Sequence, residues 1–199
     1  MIHGIATSFD GQVKRALNVL RKKVTKSNAD LNPKVNNSLA ELRKKVIRGN
    51  IQSEIRFLPG VTLRADPALK IQGSYDSPEG RLLTLDITPQ AQGDWLALHL
   101  SLDSGDYTPH GFVGFACRIA APEPVIVHPC LRSGTKESFI DSFFNKHILA
   151  TPEEASHLDA LPIHNRSDLP LHAPWRELVL FLPTERFRWS LHDLRVFVV

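Results

Sequence analysis

Proline inside a helix removes a backbone hydrogen bond and clashes with the preceding turn, so the placement of prolines limits where a chain can be helical. Here 13 of the 14 prolines, and 8 of the 11 glycines, lie after residue 56. Charge divides at the same point. Residues 1–56 carry 12 basic and 4 acidic side chains and residues 57–199 carry 12 and 17, so the formal net charge of +3 conceals a basic segment of +8 and an acidic one of −5. At 199 residues, 42% hydrophobic and 23% charged, the chain has ordinary globular composition. Two modules are expected, 1–56 and 57–199.

The first module contains an internal repeat. Val13 to Asn28 and Val35 to Asn50 are identical at eight of sixteen positions with an offset of 22. Val13, Leu17, Leu20 and Val24, and then Val35, Leu39, Leu42 and Val46, follow a 4-3-4 spacing that lines up one stripe of a helix. Asp10 and Asn32 are equivalent candidate N-caps, Pro33 suits a first helical position, and Gly49 suits a helix exit. So narrow a Val/Leu seam is closer to coiled-coil packing than to a face lying on a domain. These eight residues are therefore expected to anchor the chain or make it a homo-oligomer. The Lys/Arg surface of the arm suits a solvated stalk or docking on an acidic protein surface, with nucleic acid and membrane surfaces as further partners. The absence of interleaved aromatics gives base stacking no support.

After Phe57 helical periodicity gives way to short alternating or densely apolar runs between turn signals: 82–87, 95–102, 112–120, 125–131, 139–144, 177–182 and 187–199. Such a pattern predicts an antiparallel β-sandwich, making the chain mainly β with an N-terminal amphipathic helical arm. Parity assigns faces. Leu96, Leu98, Leu100 and Leu102 share the core side of one strand, and Trp95, Ala97, His99 and Ser101 share the other, with room for a ligand. The stretch 145–174 lacks a strand pattern. Its Thr151-Pro-Glu-Glu154 run predicts a capped helix through about Ala160.

The chemistry-bearing signatures are few. The sequence has no Gly-x-Ser-x-Gly, phosphate loop, His-Glu-x-x-His or Cys-x-x-Cys motif, and it implies no catalytic residue, cofactor or zinc site. Glu123, Asp141, Glu153 and Glu177 would serve glycoside hydrolysis only if the fold paired two of them. The run Asp103 to His110 offers oxygen ligands for calcium, or an acidic turn closing a hairpin. Cys117 and Cys130 read as free thiols of a reducing compartment. No run is long enough to cross a bilayer as a helix and no secretory signal opens the chain, so a cytoplasmic location, or a particle assembled in the cytoplasm, is expected.

Gly93-Asp-Trp95-Leu-Ala-Leu-His-Leu-Ser-Leu102, then Leu178-Val-Leu-Phe-Leu-Pro183 and the closing Trp189-Ser-Leu-His-Asp-Leu-Arg-Val-Phe-Val-Val199, resemble the jelly-roll carbohydrate-binding modules. The resemblance implies a non-catalytic sugar-binding face or loop cluster, sometimes with a structural calcium. Sugars need aromatic platforms and planar polar groups. Trp95, His99, Tyr107, His110, Arg118, Arg132, Asp141 and Trp175 are the candidates. The expectation is a non-enzymatic recognition protein binding surface polysaccharide or glycan, displayed on its arm as in spike and fibre proteins of phage-like particles. A polysaccharide- or nucleotide-sugar-active enzyme, and a purely structural assembly subunit, are the alternatives.

Overall fold

The computed structural model describes residues 34–52, 54–103 and 105–199. Helix α1 (Lys34–Arg43) leads into β1 (Ile47–Ile51), β2 (Ile55–Leu58), β3 (Val61–Ala65), a single 3-10 turn (Pro67–Leu69) and β4 (Ile71–Ser77). Then come β5 (Leu83–Pro89), β6 (Leu96–Leu102), β7 (Gly105–Asp106), β8 (Phe112–Ala120), β9 (Val125–Gly134), β10 (Phe139–Phe143), β11 (Ile148–Ala150), β12 (Ala155–Pro162), β13 (His172–Ala173), β14 (Arg176–Leu182) and β15 (Phe187–Val198). Two antiparallel sheets result, ordered β1-β4-β5-β15-β8-β12 and β10-β9-β14-β6-β3-β2, with β11 added to β9 and a small β13-β7 ribbon. The β2–β3 hairpin turns on Pro59-Gly60, where Gly60 takes the positive φ of +78° that a side chain disfavours.

Alternation fills the space between the sheets. Leu83, Leu85 and Ile87 of β5, Val113, Phe115, Cys117 and Ile119 of β8, and Trp189, Leu191, Leu194 and Val196 of β15 are buried against Leu98 and Leu100 of β6, Leu178 and Leu180 of β14, and Val127 and Leu131 of β9. In β15 the register shifts between Leu191 and Asp193, and this bulge lets both Leu191 and Leu194 face inward. Cys117 and Cys130 are free and buried in different sheets, and burial lifts the Cys117 thiol to about 12. Among the described residues no helix is long and apolar enough to cross a membrane.

The boundary expected at residue 56 is corrected. β1 and β2 are strands of the two sheets, and α1 packs on β15 and β6, so all three belong to the sandwich. Val35, Leu39 and Leu42, read from sequence as a self-association seam, are 1–2% exposed because α1 lays that stripe on the sandwich. Beyond Leu191, β5 no longer pairs with β15, and the Asn36 side chain serves the bare backbone there. It donates to Val196 O (2.8 Å) and accepts from Val196 N (3.0 Å). Ser77 Oγ donates to Leu42 O, Gly80 N donates to Arg43 O, and Arg43 pairs with Asp193. Val46 lies past the end of the helix and is 56% exposed. Gly49, expected at the helix exit, sits inside β1 beneath the Tyr75 ring. Helix gives way to strand here because the β-branched pair Val46-Ile47 follows the last turn. The stripe of the first repeat, Val13, Leu17, Leu20 and Val24, and the caps Asp10, Asn32 and Pro33 lie outside the described residues.

The helix expected from Thr151 to Ala160 is a turn followed by strand β12. Thr151 Oγ1 bonds Glu153 O within the turn, and Ala155–Pro162 pairs with β8 along its whole length. Glu154, read as the reciprocal member of a capping box, instead receives Arg81 and Arg118 and lies beside His192. These contacts, Arg81 first, pull its pKa down to about 2. The supposedly patternless stretch 145–174 thus supplies β11, β12 and β13.

Candidate glycan-binding face

The outward side of the sheet β10-β9-β14-β6-β3-β2 brings together most of the predicted site. Register places Ser101, Glu177, Arg132 and Asp141 in one row across the strands. The adjacent row runs Thr62, His99, Val179, Cys130, Phe143, and the next runs Arg64, Ala97, Phe181, His128. Trp95 continues the outward parity of β6 and Trp175 that of β14. Because these strands are antiparallel, the two indoles stand at opposite ends of the face, about 25 Å apart along the strands.

Each tryptophan is positioned by its neighbours. Asp66 N donates to Trp95 O (2.8 Å), and the Asp66 carboxylate accepts from Asp94 N (2.8 Å) and Ala68 N (2.9 Å). Those backbone bonds, Asp94 first, hold the Asp66 pKa below its ordinary value. Trp95 is 37% exposed and meets His99 edge-on at 6.5 Å. Trp175, 39% exposed, lies over Gly134, whose N–H donates to Trp175 O (2.9 Å). A Cβ at Gly134 would come within 2.4 Å of the indole. Gly134→Val should therefore push Trp175 off the face. The expected readout is a shift of indole fluorescence, with the overpacking costing about 1–3 kcal/mol of stability in chemical denaturation.

The polar groups between the tryptophans are held rigid. Arg132 makes a bidentate pair with Asp141, both bonds 2.7 Å, and its guanidinium lies 3.8 Å above the Phe139 ring and 5.8 Å from that of Phe181. Phe181 stacks on Phe143 at 6.0 Å. His99, 3% exposed, places Nδ1 2.7 Å from Glu177 Oε2, and Arg64 Nη1 lies 3.7 Å from Glu177 Oε1. Among the described residues His99 Nε2 is buried without a hydrogen-bond partner. The strand β6 is thus covered on both sides, unlike the open outer side its parity suggested: Ala97, Cys130 and Val179 form a small apolar cluster flanked by Phe181.

Burial opposes ionisation of Glu177, but the hydrogen bond from His99 and the charges of His99, Arg64 and Arg132 outweigh it and lower its pKa. A lowered folded-state pKa contributes stability above the unfolded value, and this is lost as pH falls through the folded value. Thermal melts should therefore show a loss of stability below about pH 4 that is reduced in Glu177→Gln. The shift is opposite to the one a general acid needs.

The chain matches no known family model and no curated protein. Among solved structures it is similar to a CBM4 structure, at TM-score 0.53 and 9% identity over 76% of this chain and 95% of that one. The shared fold is the jelly roll of carbohydrate-binding modules. The CBM22-1 xylan-binding domain of Paenibacillus barcinonensis Xyn10C aligns at TM-score 0.48 and 10% identity, over 78% of this chain and 96% of that one. A family 11 module from Clostridium thermocellum, in complex with a β-1,3-1,4-mixed-linked tetrasaccharide, aligns at 0.43 and 9%, over 77% and 88%.

Of the eight predicted site residues, this jelly roll gathers Trp95, His99, Arg132, Asp141 and Trp175 on one face. The other three lie elsewhere. Arg118 is on the outward side of the other sheet, β1-β4-β5-β15-β8-β12, bonded to Glu154. Tyr107 is buried at the end of the sandwich under Arg176, 3.9 Å from ring to guanidinium, and burial raises it to about 12. His110 meets Tyr107 edge-on in the same loop. In the 103–110 loop the Asp103 carboxylate accepts from Lys34 N at the start of α1, and that of Asp106 accepts from Thr108 N. Among the described residues no three His, Cys, Asp or Glu side chains are grouped to hold a metal. Sequence reasoning missed Phe139, Phe143, Phe181, Arg64 and His128 at this face. Parity from Asp141 and Glu177 would have found the first three.

Proposed function

We propose that the protein is a glycan-binding module whose binding surface is the outward face of the sheet β10-β9-β14-β6-β3-β2. The observation that carries this reading is the pair of partly exposed tryptophans at opposite ends of one rigid face, with planar ion pairs between them. Indole and phenyl faces suit the apolar sides of sugar rings, and guanidinium and carboxylate groups suit paired hydroxyls. An open face of this length suits a chain of several sugar units. The jelly-roll fold shared with carbohydrate-binding modules supports the reading.

The first repeat, with Val13, Leu17, Leu20 and Val24, is the remaining candidate for self-association or docking on an acidic protein surface, and several linked modules would turn weak sites into strong binding. A spike or fibre component has that layout. Glycan arrays probed with the full chain and with residues 33–199 test the binding: both should register the same glycans, the full chain more avidly. Silence from both removes the glycan reading, and equal monomer masses in sedimentation remove the oligomeric arm.

A further inference from the structure

At its Trp95 end the face opens into a cleft of about 600 Å³. Trp95, Phe143 and Phe181 supply its aromatic lining, and Asp94, Glu185 and His128 contribute ionisable groups. Among the described residues no lysine or arginine lines it. Elsewhere on the face each carboxylate is matched, Asp141 by Arg132 and Glu177 by His99 and Arg64. In the cleft they are not: among the described residues neither Asp94 nor Glu185 has a basic partner. The backbone N–H of Asp94 is held by Asp66, so the loop that carries this carboxylate is fixed at the rim. His128 does not compensate the two acids. It stacks on His147 with ring centroids 4.0 Å apart, and burial with the neighbouring His147 lowers its pKa, favouring the neutral ring. Arg186 and Arg188 line a neighbouring cleft, whose wall also includes Asp86, Glu123 and Glu185, and neither forms an ion pair with Glu185 among the described residues.

Two carboxylates beside three aromatic rings can accept the hydroxyls of a neutral sugar, but they repel a uronate or sulfate and attract a protonated amine more strongly than a hydroxyl. They favour a cation, through direct attraction and through the ring faces. We propose that the glycan bound by this face carries protonated amino groups, as in polymers of unacetylated 2-amino sugars, one of which is seated in the Trp95 cleft. This rests on the glycan-binding reading and narrows its substrate class.

The test compares matched oligosaccharides that differ only at nitrogen or its replacement: β-1,4-linked glucosamine, N-acetylglucosamine and glucose hexamers. They are titrated calorimetrically into the full chain between about pH 5 and 6, above the ordinary carboxylate range. The amine form should bind about five- to tenfold more tightly than either neutral form, the scale of two exposed ion pairs. The advantage should shrink at about 1 M salt, where screening is short-ranged. In Asp94→Asn/Glu185→Gln the ratio of amine to neutral affinity should fall to near one. Equal binding of all three, or preference for a neutral form, overturns the inference and leaves the glycan reading standing. Binding of none, with a silent glycan array, removes both. Tetralysine serves as the control for charge alone: if it binds and none of the glycans does, the cleft belongs to a basic peptide and the inference fails.

Discussion

A chain that begins at residue 57 is expected to lose cooperative unfolding, whereas one that begins at residue 33 should melt within a few degrees of the full protein. The difference is α1 with β1 and β2. Val35, Leu39 and Leu42 are almost completely buried, and each buried aliphatic side chain contributes about 1.5–3 kcal/mol. Their sum, about 5–9 kcal/mol as an upper bound, is comparable with the whole stability of a typical domain, about 5–15 kcal/mol. Removal would also strip the Asn36 bonds from Val196, unpair the buried Ser77 hydroxyl from Leu42 O, and expose the edges of β4 and β3. Circular dichroism melts of the two truncations read the effect directly. Leu42→Ala in the full chain is the graded version, expected to cost about 2–5 kcal/mol and to lower the melting temperature by about 5–15 °C. A sharp native-like melt of residues 57–199 would show that α1 is an ornament and the original boundary sound.

The same helix shows what a sequence can and cannot say. The spacing of Val35, Leu39 and Leu42 announced an amphipathic helix, and it is one. Spacing does not name the surface that covers a stripe, and the resemblance to the first repeat drew both stripes toward one common seam. The strands β5, β6, β8, β9, β10, β14 and β15 were legible because each carries its own alternation or dense apolar run. The strands β1 to β4 were not, since they are short and interrupted by Arg48, Gly49, Arg64 and Gly73, and β12 hid behind a proline and two glutamates that read as a helix start. For the face, parity along β6 placed Trp95 and His99 together correctly. Which strands lie beside β6 is a matter of topology, and so Arg118, on a strand of identical style, was grouped with them although it belongs to the other sheet.

Replacing Trp175 or Trp95 with alanine should each weaken glycan binding by about thirtyfold, the scale of a single aromatic anchor worth about 2 kcal/mol. Both indoles are more than a third exposed, so truncation removes a platform without opening the core, and melts should move little. Their separation decides the outcome of combining them. Sites this far apart with no shared partner lose energy additively, so the double variant should fall about a thousandfold, below detection for a weak binder. Arg118→Ala provides the control, because Arg118 bonds Glu154 on the opposite sheet and its loss should leave affinity unchanged. The pattern separates two kinds of face. If one glycan chain spans both ends, each single variant binds with its full loss and shortened oligosaccharides lose the contribution of one tryptophan. If only the Trp95 end is used, Trp175→Ala binds as well as the parent chain and the long-face reading fails. Undiminished binding by the double variant would move the glycan off this sheet altogether.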